Sequence, residues 1–245
     1  MNFITLSDNR NLKKVRYMKK ALKIVAEVVL AVAAVLLVYL IYRSVMEPVN
    51  FNKEKDAREN VAIQRLKDIR TLEVAFKGVT GHYTASIDSL KDFYTKGKMN
   101  VVMQIGSQDD SVAVANTAKI KKQRRGITPA QMMELYQAGE NLVFSISTEL
   151  PVKDTLFRGR EDFHLDSIAF IPFSGDSVLM ESVVKKVSGV DVPLFEAKMP
   201  YKSLLKGMDH QLIVNLNADR DNQNKYEGLQ VGSVSAPNNN AGNWE

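Results

Sequence analysis

Hydrophobic and polar positions follow three different patterns along this chain. From Ile24 to Tyr42, IVAEVVLAVAAVLLVYLIY, there is no alternation, and Glu27 is the single charge. A helix rises about 1.5 Å per residue, so this stretch spans roughly 28 Å, close to the hydrocarbon thickness of a bilayer. From Glu54 to Lys77 the period is helical. Ala62, Leu66, Ile69, Leu72 and Phe76 recur at spacings of three and four, opposite Arg58, Glu59, Arg65, Lys67, Asp68 and Arg70. That pattern predicts an amphipathic helix free of Pro and Gly. Beyond Lys98 the apolar runs shorten to strand length.

The junctions carry turn and cap signals. Glu47-Pro48 is expected to close the first helix, with Asn50 or Asn52 capping the next. Gly78 and Gly81 are expected to end that helix. Ser86 then opens a short one with Leu90 and Phe93 facing inward. MNVVMQIG (99–106) and SVAVANTAK (111–119) read as strands joined by the turn SQDD. After a basic loop, KKQRRG, Thr128 caps and Pro129 starts a helix. NLVFSISTEL, FHLDSIAFIPF, SVLMESVVKKV, VPLFEAKMPY, HQLIVNLNAD and GLQVGSV read as further strands. Ser174-Gly175 and Ser188-Gly189 supply turns between some of them.

The predicted fold class is α+β: an N-terminal transmembrane helix, an amphipathic stalk helix, then a mostly antiparallel β-sheet domain with short helices. The expected boundaries are a cytoplasmic basic tail (1–23), a transmembrane helix (24–42), a stalk helix and helical hairpin (43–98), a β-rich domain (99–234) and a flexible tail (235–245).

Charge refines this outline. The pI near 9.2 points at first to nucleic acid. Yet Arg10, Lys13, Lys14, Arg16, Lys19, Lys20 and Lys23 face only Asp8 in the tail. That segment outweighs the whole chain's net charge of +5, and the remainder is close to neutral. The basic flank places the N-terminus in the cytoplasm and the domain across the membrane, in the periplasm of a two-membrane bacterium. Tyr39 and Tyr42 fit an aromatic belt. A cleaved signal peptide is the competing interpretation, with Met18 as an alternative start and Ala31-Val32-Ala33 as a cleavage site. Cleavage there would leave VLLVYLIY near a new terminus, so an uncleaved inner-membrane anchor is favoured. Glu27 lies one turn after Lys23, which predicts an interfacial ion pair or a contact to a partner helix in the membrane.

Little in the sequence carries chemistry. With no cysteine, disulfides, thiol catalysis and thiolate metal sites are excluded. His82, His164 and His210 have no ligand spacing, and there is no HExxH, Gly-x-Ser-x-Gly, phosphate loop or dinucleotide fingerprint. No cofactor is expected. Asp109-Asp110 reads as a turn, and Asp162, His164 and Asp166 as a solvated strand face. The basic run Lys119, Lys121, Lys122, Arg124, Arg125 lacks interleaved aromatics and is not expected to bind nucleic acid. It is a solvated loop, or a docking surface for an acidic partner or anionic headgroups.

The apolar helix, the amphipathic helix ending GVTGHYTASIDSL and the lone Glu27 together resemble the N-terminal region of type IV pilins and type II secretion pseudopilins, over about residues 24–93. In that family a long helix ends in a phrase like Asn-Gly-x-Tyr-Pro, followed by a Ser-x-x-x-Leu helix. Thr80-Gly81-His82-Tyr83-Thr84 and Ser86 to Leu90 stand in those places. Lys23 and Ile24 stand where the family has its processing Gly and Phe, so the resemblance implies pilin-like architecture without processing. The whole chain also resembles single-pass envelope proteins of Bacteroidota, a likeness that brings no activity with it.

The leading expectation is a non-enzymatic membrane protein, a structural or assembly component of a pilin-like or secretion-type envelope complex, with the membrane and other envelope proteins as partners. Its expected interface residues are Glu27, Leu66, Ile69, Leu72, Phe76, Lys121, Lys122, Arg124 and Arg125. The alternative is a membrane-anchored periplasmic ligand-binding or sensor domain. An anchored enzyme is the third reading, and it requires groups such as Asp162, His164 and Asp166 to converge. The stripe on the stalk helix discriminates the first two: a polymerising unit displays it, and a closed monomer covers it with its own sheet.

Overall fold

The computed structural model describes the backbone from Ile4 to Glu245 and the side chains of Met18 and of Leu22 onward. The basic tail residues before Leu22 lie outside the described side chains. The elements run α1 (Ile4–Thr80), α2 (Ile87–Lys96), β1 (Lys98–Ile105), α3 (Ser111–Gln123), α4 (Pro129–Gln137), β2 (Phe144–Pro151), α5 (Val152–Thr155), a 3-10 turn (Leu165–Ala169), β3 (Leu179–Val187), β4 (Val190–Pro200), α6 (Tyr201–Leu204), α7 (His210–Asn222) and β5 (Gly228–Gly232). The class is α+β, as the hydrophobic pattern predicts. The chain divides into two compact units: one ends at Ala57 and takes in Met208–Leu212, and the other holds Arg58–Gly207 and Ile213–Glu245.

In the first unit, α1 is long and apolar enough to cross a membrane, and none of its most apolar stretch is buried. Pro48 does not close the helix as expected; α1 runs through it. A proline removes one backbone donor and crowds the preceding turn. Apolar or otherwise helix-compatible residues on both sides carry the helix past that local cost. Arg43 and Glu47, 3.7 Å apart, pair across the turn before it.

In the second unit, α1 ends where the glycines predict. Gly81 adopts φ +83, a left-handed conformation that costs a residue without a Cβ little, and its N–H donates to the Lys77 carbonyl at 2.8 Å. The Ser86 hydroxyl accepts the Ser89 N–H and caps α2. Leu90 and Phe93 are buried, and Phe93 meets Phe76 edge-on at 5.4 Å.

Strands β1 and β2 pair antiparallel, Lys98 opposite Pro151 and Ile105 opposite Phe144. The expected SQDD hairpin is absent. SVAVANTAK forms α3 instead, because the Asp110 carboxylate accepts the N–H groups of Val112 and Ala113 and starts a helix. Val112 and Val114, whose alternation mimics a strand, are exposed, whereas Ala113 and Thr117 face inward one turn apart. Thr128 and Gln131 form the capping box of α4 around Pro129. Met132, Leu142 and Phe144 form a small core there, packed against Ile105, Ile120 and Ile146.

The second sheet has the order β3-β4-β5, all antiparallel. Ser188 and Gly189, both at positive φ, make the two-residue turn between Val187 and Val190. In the middle strand Leu194, Phe195, Glu196 and Ala197 are consecutively buried, so both faces are covered.

Three further expectations are corrected. HQLIVNLNAD is helical, within α7: the Asp209 carboxylate accepts the Leu212 N–H at 2.9 Å, and the half-buried positions recur at helical spacing. FHLDSIAFIPF holds a 3-10 turn and one isolated bridge, Phe170 to Ser177, with Ile168 and Ile171 buried and Phe170 and Phe173 exposed. The segment 235–245, read as a flexible tail, is tied down. Val231 bridges Gly242, Asn243 donates its backbone N–H to the Gln230 carbonyl at 2.9 Å, and its side chain donates to the Gly228 carbonyl.

Candidate binding groove

The stripe on α1 decides what the second unit can offer to other molecules. Leu66, Ile69 and Leu72 are fully buried within the chain, with Ala62, and Phe76 is partly buried. Within this chain the apolar surface of Leu66, Ile69 and Leu72 is already covered, and it holds the helix to its own domain.

The same face carries a buried acid that the apolar pattern passed over. Glu73 is completely covered. Its Oε2 accepts the Thr84 N–H at 3.2 Å, and its Oε1 has no hydrogen-bond partner. Burial raises its pKa to about 8, against a smaller opposing effect of the Thr84 bond. The other buried acids differ. Asp68 pairs with Arg160, and Glu196 is held by Lys198 and by Gln230 Nε2. Glu73 stands where α1 meets the segment that turns back into α2, so its single bond fixes that corner.

The flank of α1 beside this stripe is open. It lines a groove of about 930 Å³ together with residues from several other parts of the second unit. Arg70, Val74, Lys77 and Val79 come from α1, Lys98, Met99 and Asn100 from β1, Glu149 from β2, and Asn239 and Asn240 from the C-terminal segment. Asn100 and Glu149 are directly opposite in the ribbon and share a face. Val74 and Val79 are each about half exposed, an apolar strip between polar ends. Arg70 NH1 donates to the Asn240 carbonyl at 3.2 Å and to Glu245 Oε1 at 2.7 Å. That bond holds the Glu245 carboxyl below its ordinary pKa. Lys77 Nζ lies 4.9 Å from the centre of the Tyr83 ring, whose hydroxyl accepts from Asn240 Nδ2. The volume falls in the range of small-molecule clefts, and the mixture of apolar wall and convergent polar groups is their usual lining.

The other residues singled out in the sequence lie elsewhere. Lys23 Nζ and Glu27 Oε1 are 3.9 Å apart, an exposed ion pair at the expected spacing. Lys121 and Lys122 sit in the last turn of α3, with Arg124 as its cap residue, rather than in a loop. Cations at a helix C-terminus complement its dipole, and all of these, with Arg125, are exposed. Asp109 and Asp110 do not act as a pair, since Asp110 caps α3 and accepts from Asn141. Asp162 pairs with Arg160 and Asp166 with Lys91. A shallow cleft of about 410 Å³ includes Asp162 and His164 but not Asp166, so the three do not converge. Two Ser-x-x-Lys phrases bring no nucleophile to a base. Ser182 and Lys185 fall three apart in β3, on opposite faces, and Lys206 reaches toward Asp176 rather than Ser203. Among the described residues no group of His, Asp and Glu could hold a metal ion.

These features define an α+β domain with a mixed polar and apolar groove, on a chain with one candidate membrane-spanning helix among its described residues. Comparison with protein-family models, curated proteins and solved structures gives no match to this chain.

Proposed function

We propose that this chain is a non-enzymatic, single-pass inner-membrane protein, N-terminus in the cytoplasm, whose periplasmic domain binds a ligand. The groove between α1, the β1–β2 ribbon and residues 239–240 carries this reading. The covered stripe on α1 supports it as well, because a closed domain offers a cleft where a polymerising one offers a helix face. Native mass spectrometry of the full chain released from membranes tests it. A retained non-protein mass, lost when Val74→Trp fills the groove, is the expected result. Bare protein under the mildest release, from cells grown on varied media, would count against it.

Orientation is tested separately, and the lack of cysteine makes the test clean. Ser7→Cys and Ser235→Cys, each labelled in intact cells with a membrane-impermeant maleimide that crosses the outer membrane, should react only at position 235.

A second reading, a subunit of a pilin-like or secretion-type envelope complex, draws on other surfaces. The exposed Val102 and Met103 of β1 and the basic end of α3 are open to partners of protein or lipid, and Glu27, paired with Lys23, is exposed in the apolar stretch. Crosslinking in native membranes followed by affinity purification tests this reading. Recovery in a particle far larger than the 27.5 kDa chain supports it, and a lone monomer rejects it.

A further inference from the structure

We infer that the groove takes an organic carboxylate with an apolar body, and that this ligand competes with the chain's own Glu245. The inference rests on the binding reading above and names its ligand class. Three cations line the groove, Arg70, Lys77 and Lys98, against one acid, Glu149. Among the described residues Lys77 and Lys98 pair with no carboxylate, and Arg70 pairs with Glu245, which lies beside the groove rather than in its lining. Lys77 rests on the Tyr83 ring, and Lys98 stands exposed at the start of β1.

A concave wall of one charge sign concentrates the opposite charge, and a planar guanidinium matches a carboxylate through parallel N–H donors. The Glu245 side chain thus shows, within the chain, the chemistry that the Arg70 end of the groove accepts. The body of the ligand follows from the rest of the wall. Val74 and Val79 present half-exposed apolar surface on α1, and Ala75, Met99 and Leu156 extend it. A doubly hydrophilic anion would leave that strip wet, and a neutral apolar molecule would leave the lysines without a counter-charge. Asn100, Asn239 and Asn240 supply amides that can donate to a carboxylate oxygen.

Competition with Glu245 has a built-in reporter. Trp244 is the single tryptophan of the chain, adjacent to Glu245, and its indole nitrogen is buried without a hydrogen-bond partner. Release of Glu245 from Arg70 changes the surroundings of that ring.

The test uses the full chain in nanodiscs of zwitterionic lipid, with phenylbutyrate and its neutral isostere phenylbutyramide as probes and protein-free nanodiscs as the partition control. Tryptophan fluorescence and ligand-observed NMR are read together. Phenylbutyrate should saturate both signals, and the amide should bind at least about tenfold more weakly. Arg70→Gln and Lys98→Gln should each weaken the acid about fivefold to tenfold and leave the amide unchanged. Lys98 is exposed, so that variant keeps the fold if Arg70→Gln does not. Glu149→Gln and Glu245→Gln should tighten the acid, by removing repulsion in one case and the competitor in the other. Equal affinity for acid and amide overturns the carboxylate inference and leaves the binding reading standing. No saturable signal from either probe up to about 10 mM overturns both.

Discussion

Between Ile24 and Tyr42 every large apolar side chain of α1 is at least half exposed, whereas Ala62, Leu66, Ile69 and Leu72 of the same helix have no exposed surface at all. The backbone is helical in both stretches, so conformation does not explain the contrast; the distribution of apolar residues does. The first stretch is apolar on all sides and needs a medium that accepts all of them, which a bilayer supplies. The second is apolar on one side only, and the chain itself covers that side. A Leu fully removed from water contributes about 1.5–3 kcal/mol. In one stretch the domain supplies that gain, and in the other it has to come from outside the chain.

The largest expected effect tests this contrast directly. Leu66→Asp puts an unpaired charge into a covered position and should abolish the cooperative thermal melt of the domain. Leu36→Asp should leave that melt unchanged while weakening insertion by about 3 kcal/mol, read as partial release by alkaline carbonate. Equal damage to the melt from both substitutions would break the comparison.

Glu73 sharpens it next, as the one acid on the covered stripe without a cation. Its folded pKa of about 8 lies above the unfolded value near 4.5, so the folded state holds the extra proton between those limits. Stability from this group is therefore highest below about pH 4.5 and falls as pH rises toward 8, by up to several kcal/mol at about 1.4 per unit. Glu73→Gln keeps an acceptor for the Thr84 N–H and removes the titration. The melting temperature of the variant relative to the parent should climb from pH 5 to pH 8. A constant difference across that range would show that Glu73 is already ionised or solvated in the folded chain.

A smaller effect is expected at the other end of the covered stretch. Tyr201 is fully buried; its hydroxyl donates to Glu59 Oε1 at 2.6 Å and accepts from Arg220 NH2 at 2.7 Å. Burial, followed by the Glu59 carboxylate, raises its pKa. Tyr201→Phe keeps the ring and should lower stability by about 1–2 kcal/mol in a urea titration, with an unchanged slope. Least of all should come from Glu245→Gln, which breaks a half-exposed ion pair with Arg70. Its small loss of melting temperature should vanish in high salt and at acid pH, where the parent's own carboxylate is protonated.

Local signals account for what was legible. The apolar run, the α1 stripe, the Gly81 stop, the Ser86 and Thr128 caps and the Ser188-Gly189 turn each rest on a few neighbouring residues, and each is found as expected. The two helices mistaken for strands share one cause. Val112 and Val114 alternate, and HQLIVNLNAD is rich in branched residues, so composition favoured strands. Asp110 and Asp209, immediately before them, were the cap signals that decided the outcome. The groove was not legible, because Arg70 and Asn240 stand 170 residues apart and no spacing rule joins them. Glu73 was visible in principle: it sits four positions after Ile69 and three before Phe76, on the apolar stripe.

The β1–β2 ribbon carries a consequence for the order of events during folding. Its nearest paired residues, Ile105 and Phe144, enclose the whole of α3 and α4. Closing a loop costs chain entropy that grows with its length, whereas the caps at Asp110 and Thr128 act within a single turn. Condensing the enclosed segment into helices with a small shared core shortens the effective loop. The ribbon is therefore expected to zip after its own insert has formed, and the groove that it walls to form no earlier than the ribbon.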